Sequence, residues 1–266
     1  MGVLYNEIKY QAPSPSAPGG TLEIDGYLAP GEGEWRVFVF PGSPSNKLLY
    51  TRFLRTAPRD MEIVVITRPG FGRGHPAPVI AFEDQVAAMT PFLPGGEWGD
   101  KKIITMGISY GGELALKAAL MFPEAVRGVV TVAALIDEPH DYALQLEKLG
   151  ETPGVEDWVP DRWRRVRAEI AGRRAQIGPL LDALKDLKAP VEVIHGDFDA
   201  LVPQSNAHTL MRALEAGGGD RQGRANLEIV PGGTHYLELQ YPRRLHQAIE
   251  RLVERIEAED AEPATP

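Results

Sequence analysis

The segment Gly107-Ile108-Ser109-Tyr110-Gly111-Gly112 sets a serine among glycines, directly after the β-branched run at 102–106 and before a helical pattern at 113–122. A strand, tight turn and helix of this kind fits a nucleophile elbow. The turn is too sharp for large flanking side chains, and it presents the serine oxygen above a sheet edge at a helix N-terminus. A serine hydroxyl is a poor nucleophile until a base removes its proton, and the oxyanion that forms needs donors aimed at it in advance. The chemistry to look for is acyl transfer. The plainer alternative is an ordinary strand–turn–helix in which Ser109 is only an N-cap. The chain has no cysteine, which excludes disulfides, thiolate metal sites and a cysteine nucleophile. It shows no metal-ligand spacing and no GxxxxGK[ST] phosphate loop. Gly70-Phe71-Gly72-Arg73-Gly74 follows a proline turn, so it is not a dinucleotide fingerprint.

The elements around this turn alternate. Residues 7–10 are short and extended, 11–20 form a Pro/Ser/Gly loop, and 22–28 alternate apolar and polar as a half-exposed strand does. Residues 35–40 and 62–67 are denser apolar runs suited to strands buried on both faces. Helical patterns occupy 48–57 and 81–93. Beyond the serine, strands are expected at 126–134, 191–195 and 226–230, with helices at 180–187, 205–216 and 243–258. Strand–helix alternation after an antiparallel start predicts an α/β fold, a mostly parallel twisted sheet of about eight strands with helices on both faces. The stretch 135–179 contains no strand and is too long for a plain connection, so it reads as a small helical cap inserted in one core formed by 1–134 and 180–258. The acidic, proline-containing tail 259–266 is expected to be disordered.

Composition narrows the class of partner. The 266 residues are 43% hydrophobic and 24% charged, ordinary for a globular protein, and Asp plus Glu outnumber Lys plus Arg by 37 to 28. A formal charge of −9 argues against nucleic acid and against an anionic membrane as partner. The first ten residues lack a signal-peptide core and no apolar run reaches the length of a membrane span, so a cytoplasmic location is expected. A small-molecule substrate is the expected partner, without cofactor or metal; the oligomeric state is left open.

With the elbow in place, the chain resembles the α/β-hydrolase superfamily over nearly its whole length. Phe40-Pro41-Gly42-Ser43-Pro44 stands where the family carries its oxyanion loop, commonly His-Gly-X-Pro. Thr67-Arg68-Pro69-Gly70-Phe71-Gly72 is similar to the family's Asp-X-Pro-Gly-X-Gly turn. His195-Gly196-Asp197-Phe198-Asp199 resembles its acid loop, and Gly232-Gly233-Thr234-His235 its histidine loop. The order serine, aspartate, histidine is the order of that fold. The resemblance implies a catalytic triad of Ser109, Asp199 and His235, with an oxyanion hole made by the backbone N–H groups of Ser43 and Tyr110. The family pattern Gly-X-X-Asp selects Asp199, and leaves Asp197 as a turn residue bonded to its own backbone. The Ser43–Pro44 peptide is expected to be cis, as in relatives with a Gly-X-Pro loop. One departure stands out: Pro41 replaces the histidine whose side chain braces that loop.

Of the six histidines, His195 reads as structural, His208, His140 and His246 as surface or satisfied core, and His75 as a residue whose loop can face the pocket. The cap carries Trp158 and Trp163, which either line an acyl pocket or pack the cap on the body. Its arginines at 162, 164, 165, 167, 173 and 174 either recruit an acidic substrate or, the favoured reading, form the solvated face of a helix capped by Asp161. The resulting expectation is a serine hydrolase that cleaves a small carboxylic ester through an acyl-enzyme. Other serine-triad activities remain open: a peptidase, thioesterase, C–C hydrolase or cofactor-free perhydrolase. So does a silent binding protein that uses the same pocket.

Overall fold

The computed structural model of the chain describes residues 4–17, 19–137, 159–216 and 224–261. Eight strands form one sheet: β1 (Asn6–Pro13), β2 (Thr21–Ala29), β3 (Trp35–Phe40), β4 (Met61–Ile66), β5 (Lys102–Ile108), β6 (Val126–Val132), β7 (Val191–Gly196) and β8 (Ala225–Val230). Their spatial order is β1-β2-β4-β3-β5-β6-β7-β8. The β1–β2 and β2–β4 pairs are antiparallel, and every later pair is parallel. The eight strands and their mostly parallel pairing agree with the expectation drawn from the strand–helix alternation and the family resemblance.

The described α-helices are α1 (Thr51–Arg55), α2 (Phe82–Val86), α3 (Tyr110–Met121), α4 (Asp161–Ala183), α5 (Ser205–Glu215), α6 (Leu237–Gln240) and α7 (Pro242–Ala261). Period-2 alternation divides their partners between the two faces of the sheet. Phe38 and Phe40 of β3 join α3 residues Leu114 and Ala118 in one core. Val37 and Val39 turn the other way, into a core with Leu245, Ile249 and Leu252 of α7. All six residues of β3 are buried, which is why its sequence is nearly all apolar. Each fully buried side chain of this size contributes roughly 1.5–3 kcal/mol.

Four boundaries differ from the sequence expectation. Strand β1 runs on to Pro13, paired with Thr21, because an edge strand tolerates proline at its end. The expected helix at 81–93 is an α-helical turn followed by a 3-10 segment at Ala87–Phe92; Pro91 has no N–H with which to continue the α pattern. Helix α4 passes unbroken through Pro179, so the expected junction between cap and core at 179–180 falls inside a helix. The Ala175 carbonyl that Pro179 cannot satisfy lies on the exposed side of α4, where water can take it. The last helix continues to Ala261, so the expected tail from 259 begins as helix and 262–266 lie outside the described residues. Nearly half of the expected cap, 138–158, also lies outside them, Trp158 and His140 included.

Parallel pairing brings the C-terminal ends of β3 to β8 to one edge of the sheet. The loops that follow Phe40, Ile66, Ile108, Gly196 and Val230 meet there, which is where an open α/β sheet places its ligands. Among the described residues, no helix is long and apolar enough to cross a membrane.

Candidate active site

Ser109 sits between β5 and α3 with φ 55° and ψ −124°, a left-handed conformation that non-glycine residues rarely hold. The surroundings fix it. Its N–H donates to the Val132 carbonyl at 2.9 Å, and its own carbonyl accepts from Gly112 N–H at 2.9 Å and Leu135 N–H at 3.1 Å. The glycines make this approach possible. A Cβ at Gly107 would collide with the Gly111 carbonyl, one at Gly111 with the Phe40 carbonyl, and one at Gly112 would lie 2.5 Å from Ala134 Cβ. Ser109 makes no side-chain capping bond to α3, so the hydroxyl is not spent as an N-cap.

Asp199 and His235 come together from different loops. Asp199 Oδ2 faces His235 Nδ1 at 2.8 Å, with the carboxylate fully buried and the imidazole about one-tenth exposed. Oδ1 accepts from the N–H groups of Leu201 and Val202, both at 2.8 Å. Burial alone would raise the Asp199 pKa, but the His235 ring and these two N–H groups outweigh it and hold the carboxyl below its usual range. Asp197 is exposed and differs from expectation in what it bonds. It accepts from Gly232 N–H at 2.7 Å, which ties the acid loop to the histidine loop rather than to its own backbone. The two loops press together at Gly196, where a Cβ would strike the Gly233 carbonyl. His195 is buried behind them and donates from Nε2 to the Val202 carbonyl at 2.9 Å, a structural role; burial lowers its pKa. Glu238, three residues beyond His235, is buried, and desolvation pushes its carboxyl up to about 7.

The loop after β3 closes against the serine: a Cβ at Gly42 would stand 3.1 Å from Ser109 Cβ and 3.7 Å from its Oγ. The Ser43–Pro44 peptide is cis, as the Gly-X-Pro pattern predicted. Tyr110 is the first residue of α3, so its N–H has no carbonyl partner within the helix. Ser43 Oγ donates to Glu169 Oε2 of α4 at 2.6 Å, which leaves the backbone N–H as the donor this residue can offer.

Other expected contacts are placed differently. His75 lines a cleft of about 430 Å³ beside Ser45 and Phe71, yet both of its ring nitrogens are engaged within the protein. Nδ1 accepts from Gly70 and Gly72 N–H at 3.0 and 3.2 Å, and Nε2 donates to the Glu23 carbonyl at 2.8 Å. It locks the turn and has no polar atom left for a substrate. Trp163 is 44% exposed in the first turn of α4. Asp161 is not the cap of α4; Pro160 occupies that place, and Asp161 pairs with Arg165 at 2.6 Å. The solvated-face reading of the arginines also fails at Arg173, which is fully buried against Glu113, and in part at Arg165, which donates to the Gly70 and His75 carbonyls.

Sequence reasoning missed a buried polar cluster. Arg68, Gln85 and Glu169 are each wholly inaccessible and contact one another next to the loop at 42–45. The available signal was spacing: Arg165, Glu169 and Arg173 recur every four residues, on the same side of α4 as Val166 and Ile177. Among the described residues, no group of three or more His, Asp or Glu side chains is arranged to hold a metal.

Comparison with known proteins gives a consistent picture. The profile of the alpha/beta hydrolase fold family matches residues 36–154. A proline iminopeptidase of Neisseria gonorrhoeae is 27% identical over 191 residues, 67% of this chain and 56% of that protein. A pimeloyl-[acyl-carrier protein] methyl ester esterase of Proteus mirabilis is 27% identical over 104 residues, 39% of this chain and 38% of that protein. The chain thus spans little more than half the length of the first relative and less of the second. Among solved structures, a thermophilic esterase from Thermogutta terrifontis superposes with a TM-score of 0.71 at 18% identity, covering 94% of this chain and 99% of that one.

Proposed function

We propose that this chain, which carries the alpha/beta hydrolase fold, is a serine hydrolase of the α/β-hydrolase superfamily that cleaves a small carboxylic ester through an acyl-enzyme. The observation that carries this reading is the 2.8 Å contact between Asp199 Oδ2 and His235 Nδ1, at the sheet edge where Ser109 is held at positive φ. With Nδ1–H committed to the carboxylate, Nε2 is the basic nitrogen. It takes the Ser109 proton as Oγ forms a bond to the ester carbonyl carbon, and the carbonyl electron pair moves onto oxygen. The N–H groups of Ser43 and Tyr110 receive that oxyanion. Collapse expels the alkoxide, which takes the proton from the imidazolium and leaves as alcohol. Water activated by the same nitrogen then repeats the sequence on the acyl-enzyme and releases the acid. Asp199, held ionised by its surroundings, stabilises the imidazolium in both halves.

The resemblance to an iminopeptidase favours one second reading, hydrolysis of an amide at an N-terminal residue. Incubation with a fluorophosphonate probe, followed by p-nitrophenyl esters of increasing chain length beside amino-acyl amides, separates the two. Labelling lost in Ser109→Ala with turnover of short esters supports the esterase. Labelling with turnover of amides alone supports the peptidase, and no labelling of folded protein overturns both.

A further inference from the structure

Four donors converge on Glu169, a residue of α4 that lies far in sequence from every triad candidate. Arg68 Nη1 and Gln85 Nε2 reach Oε1 at 2.5 and 2.9 Å; Arg68 Nη2 and Ser43 Oγ reach Oε2 at 3.0 and 2.6 Å. A carboxylate accepts about four hydrogen bonds, so this one is saturated inside the protein. The same Arg68 Nη2 also donates to the Gly42 carbonyl at 3.0 Å, and the Arg68 backbone N–H donates to Ser45 Oγ at 3.0 Å. Arg162, also of α4, donates to the Ser45 carbonyl at 3.0 Å. Gly42, Ser43 and Ser45 are therefore all held from outside their own loop. Pro41, at its start, has no N–H to contribute.

We propose that Glu169, neutralised by Arg68, is a positioning residue that fixes the Ser43 N–H toward the developing oxyanion. The argument is electrostatic as well as geometric. A lone carboxylate 2.6 Å from the Ser43 hydroxyl would oppose negative charge building up on the neighbouring carbonyl oxygen. The two-pronged Arg68 contact cancels that charge while leaving the carboxylate as acceptor for Ser43. Gln85 extends the brace to the other half of the hole: its Nε2 lies 3.2 Å from the hydroxyl of Tyr110, whose backbone N–H is the second candidate donor. The Arg68 guanidinium stacks over the same ring at 4.7 Å. Helix α4 thus contacts the loop directly at Ser43 and is linked to Tyr110 through Gln85 and Arg68.

The proposal rests on the serine-hydrolase reading, and its test keeps the two apart. Three variants are compared with the wild type: Ser43→Ala, which keeps the backbone N–H and removes the hydroxyl; Ser43→Thr, which restores a hydroxyl; and the pair Arg68→Met with Glu169→Met. The paired change removes both buried charges together, a substitution that commonly preserves folding where loss of one partner does not. Circular dichroism and thermal unfolding confirm folding. Hydrogen exchange of the peptide containing Gly42–Ser45 and steady-state kinetics on a p-nitrophenyl ester supply the readouts. The expected result is faster exchange in this loop for Ser43→Ala and the paired variant, with kcat lowered about tenfold or more and KM within about threefold, because the hole acts on the transition state. Ser43→Thr should recover most of the lost kcat. Wild-type exchange in both folded variants overturns the proposal, and so does wild-type kcat in them. A wild type that hydrolyses no ester or amide and takes no fluorophosphonate overturns the hydrolase reading instead, while the exchange experiment still decides whether Glu169 holds the loop.

Discussion

Asp199 divides its carboxylate between its own loop and His235. Oδ2 meets His235 Nδ1 at 2.8 Å, while Oδ1 binds the N–H groups of Leu201 and Val202. The two oxygens let one residue serve both as turn former and as candidate triad acid. Because Oδ1 anchors the loop, Oδ2 has little freedom to leave the imidazole. Asp197 performs the complementary task of fastening Gly232.

Asparagine at 199 keeps an acceptor for Leu201 and Val202 but sets an amide N–H against Nδ1, which favours the wrong tautomer. Asp199→Asn should therefore unfold at nearly the wild-type temperature while kcat falls by about 10,000-fold. Asp197→Asn retains an acceptor for Gly232 and should stay within about threefold of wild type. Steady-state ester kinetics on the two proteins decide the assignment, and a severe defect in Asp197→Asn beside a silent Asp199→Asn would reverse it.

The elbow glycines give a prediction about folding. A methyl group at Gly111 would enter the space of the Phe40 carbonyl, and backbone on both sides leaves no flexible side chain to yield. Gly111→Ala should destabilise the protein by roughly 3 kcal/mol or more through overpacking, read as a large drop in denaturant midpoint. Gly95→Ala is the control for backbone strain without collision, since nothing lies near its Cβ position. Its φ of 80° still makes it strained, so a smaller loss is expected there.

Much of this was legible in the chain. Strand β3 announces itself by five apolar residues out of six, and the elbow by a serine set among glycines between a strand and a helix. The histidine and acid loops are legible because their residue types are chemically demanding and close to strand ends. The Arg68–Gln85–Glu169 cluster was hidden for the opposite reason. Each residue is common on surfaces, they lie up to 101 positions apart, and only packing of α4 on the turn after β4 converts them into a buried unit. His75 misled because a loop near the pocket is not the same as a ring facing it: two N–H groups from its own turn claim Nδ1.

Glu238 predicts a pH dependence of stability. Burial raises its carboxyl to about 7 from an ordinary 4.5, so the folded state holds a proton that the unfolded state has released. Its contribution is present below pH 4.5 and is lost as pH rises through 7. Glu238→Gln cannot ionise and should escape that loss. Urea unfolding should find the variant and wild type similarly placed at pH 5, with the variant gaining roughly 1–3 kcal/mol relative to wild type by pH 8. His246 runs the other way. It is stacked on Phe53 and pushed down to about 4 by burial, so it withdraws stability as pH falls from 6.5 through 4. An unchanged difference between Glu238→Gln and wild type across pH 5–8 would contradict the Glu238 assignment.

The last prediction concerns the second buried ion pair of α4. Arg173 lies one helical turn beyond Glu169 and pairs with Glu113 of α3, four residues past the serine; both side chains are essentially inaccessible. Arg173 also donates from Nη2 to the carbonyls of Leu135 at 3.0 Å and Asp137 at 2.8 Å, so it joins α4 to α3 and to the segment after β6. Burial drives the Glu113 carboxyl up to about 7 even though Arg173 opposes it. Removing the arginine takes away the main opposition to burial and leaves only the weaker pull of Arg68, so the carboxyl should then stay protonated to a still higher pH. Arg173→Met should therefore cost roughly 3–5 kcal/mol at pH 8, where a lone carboxylate would be buried or the protein must hold its proton at a penalty. At pH 5 the cost should be visibly smaller, because a neutral Glu113 needs no counter-charge. The paired change Arg173→Met with Glu113→Leu removes the titrating group and should be close to wild type at pH 8, with little further dependence on pH. Equilibrium unfolding of the single and double variants at the two pH values tests this directly. A single variant whose deficit is the same at pH 5 and pH 8 would mean that Arg173 acts through its carbonyl contacts and packing, and that the charge of Glu113 is not what it balances.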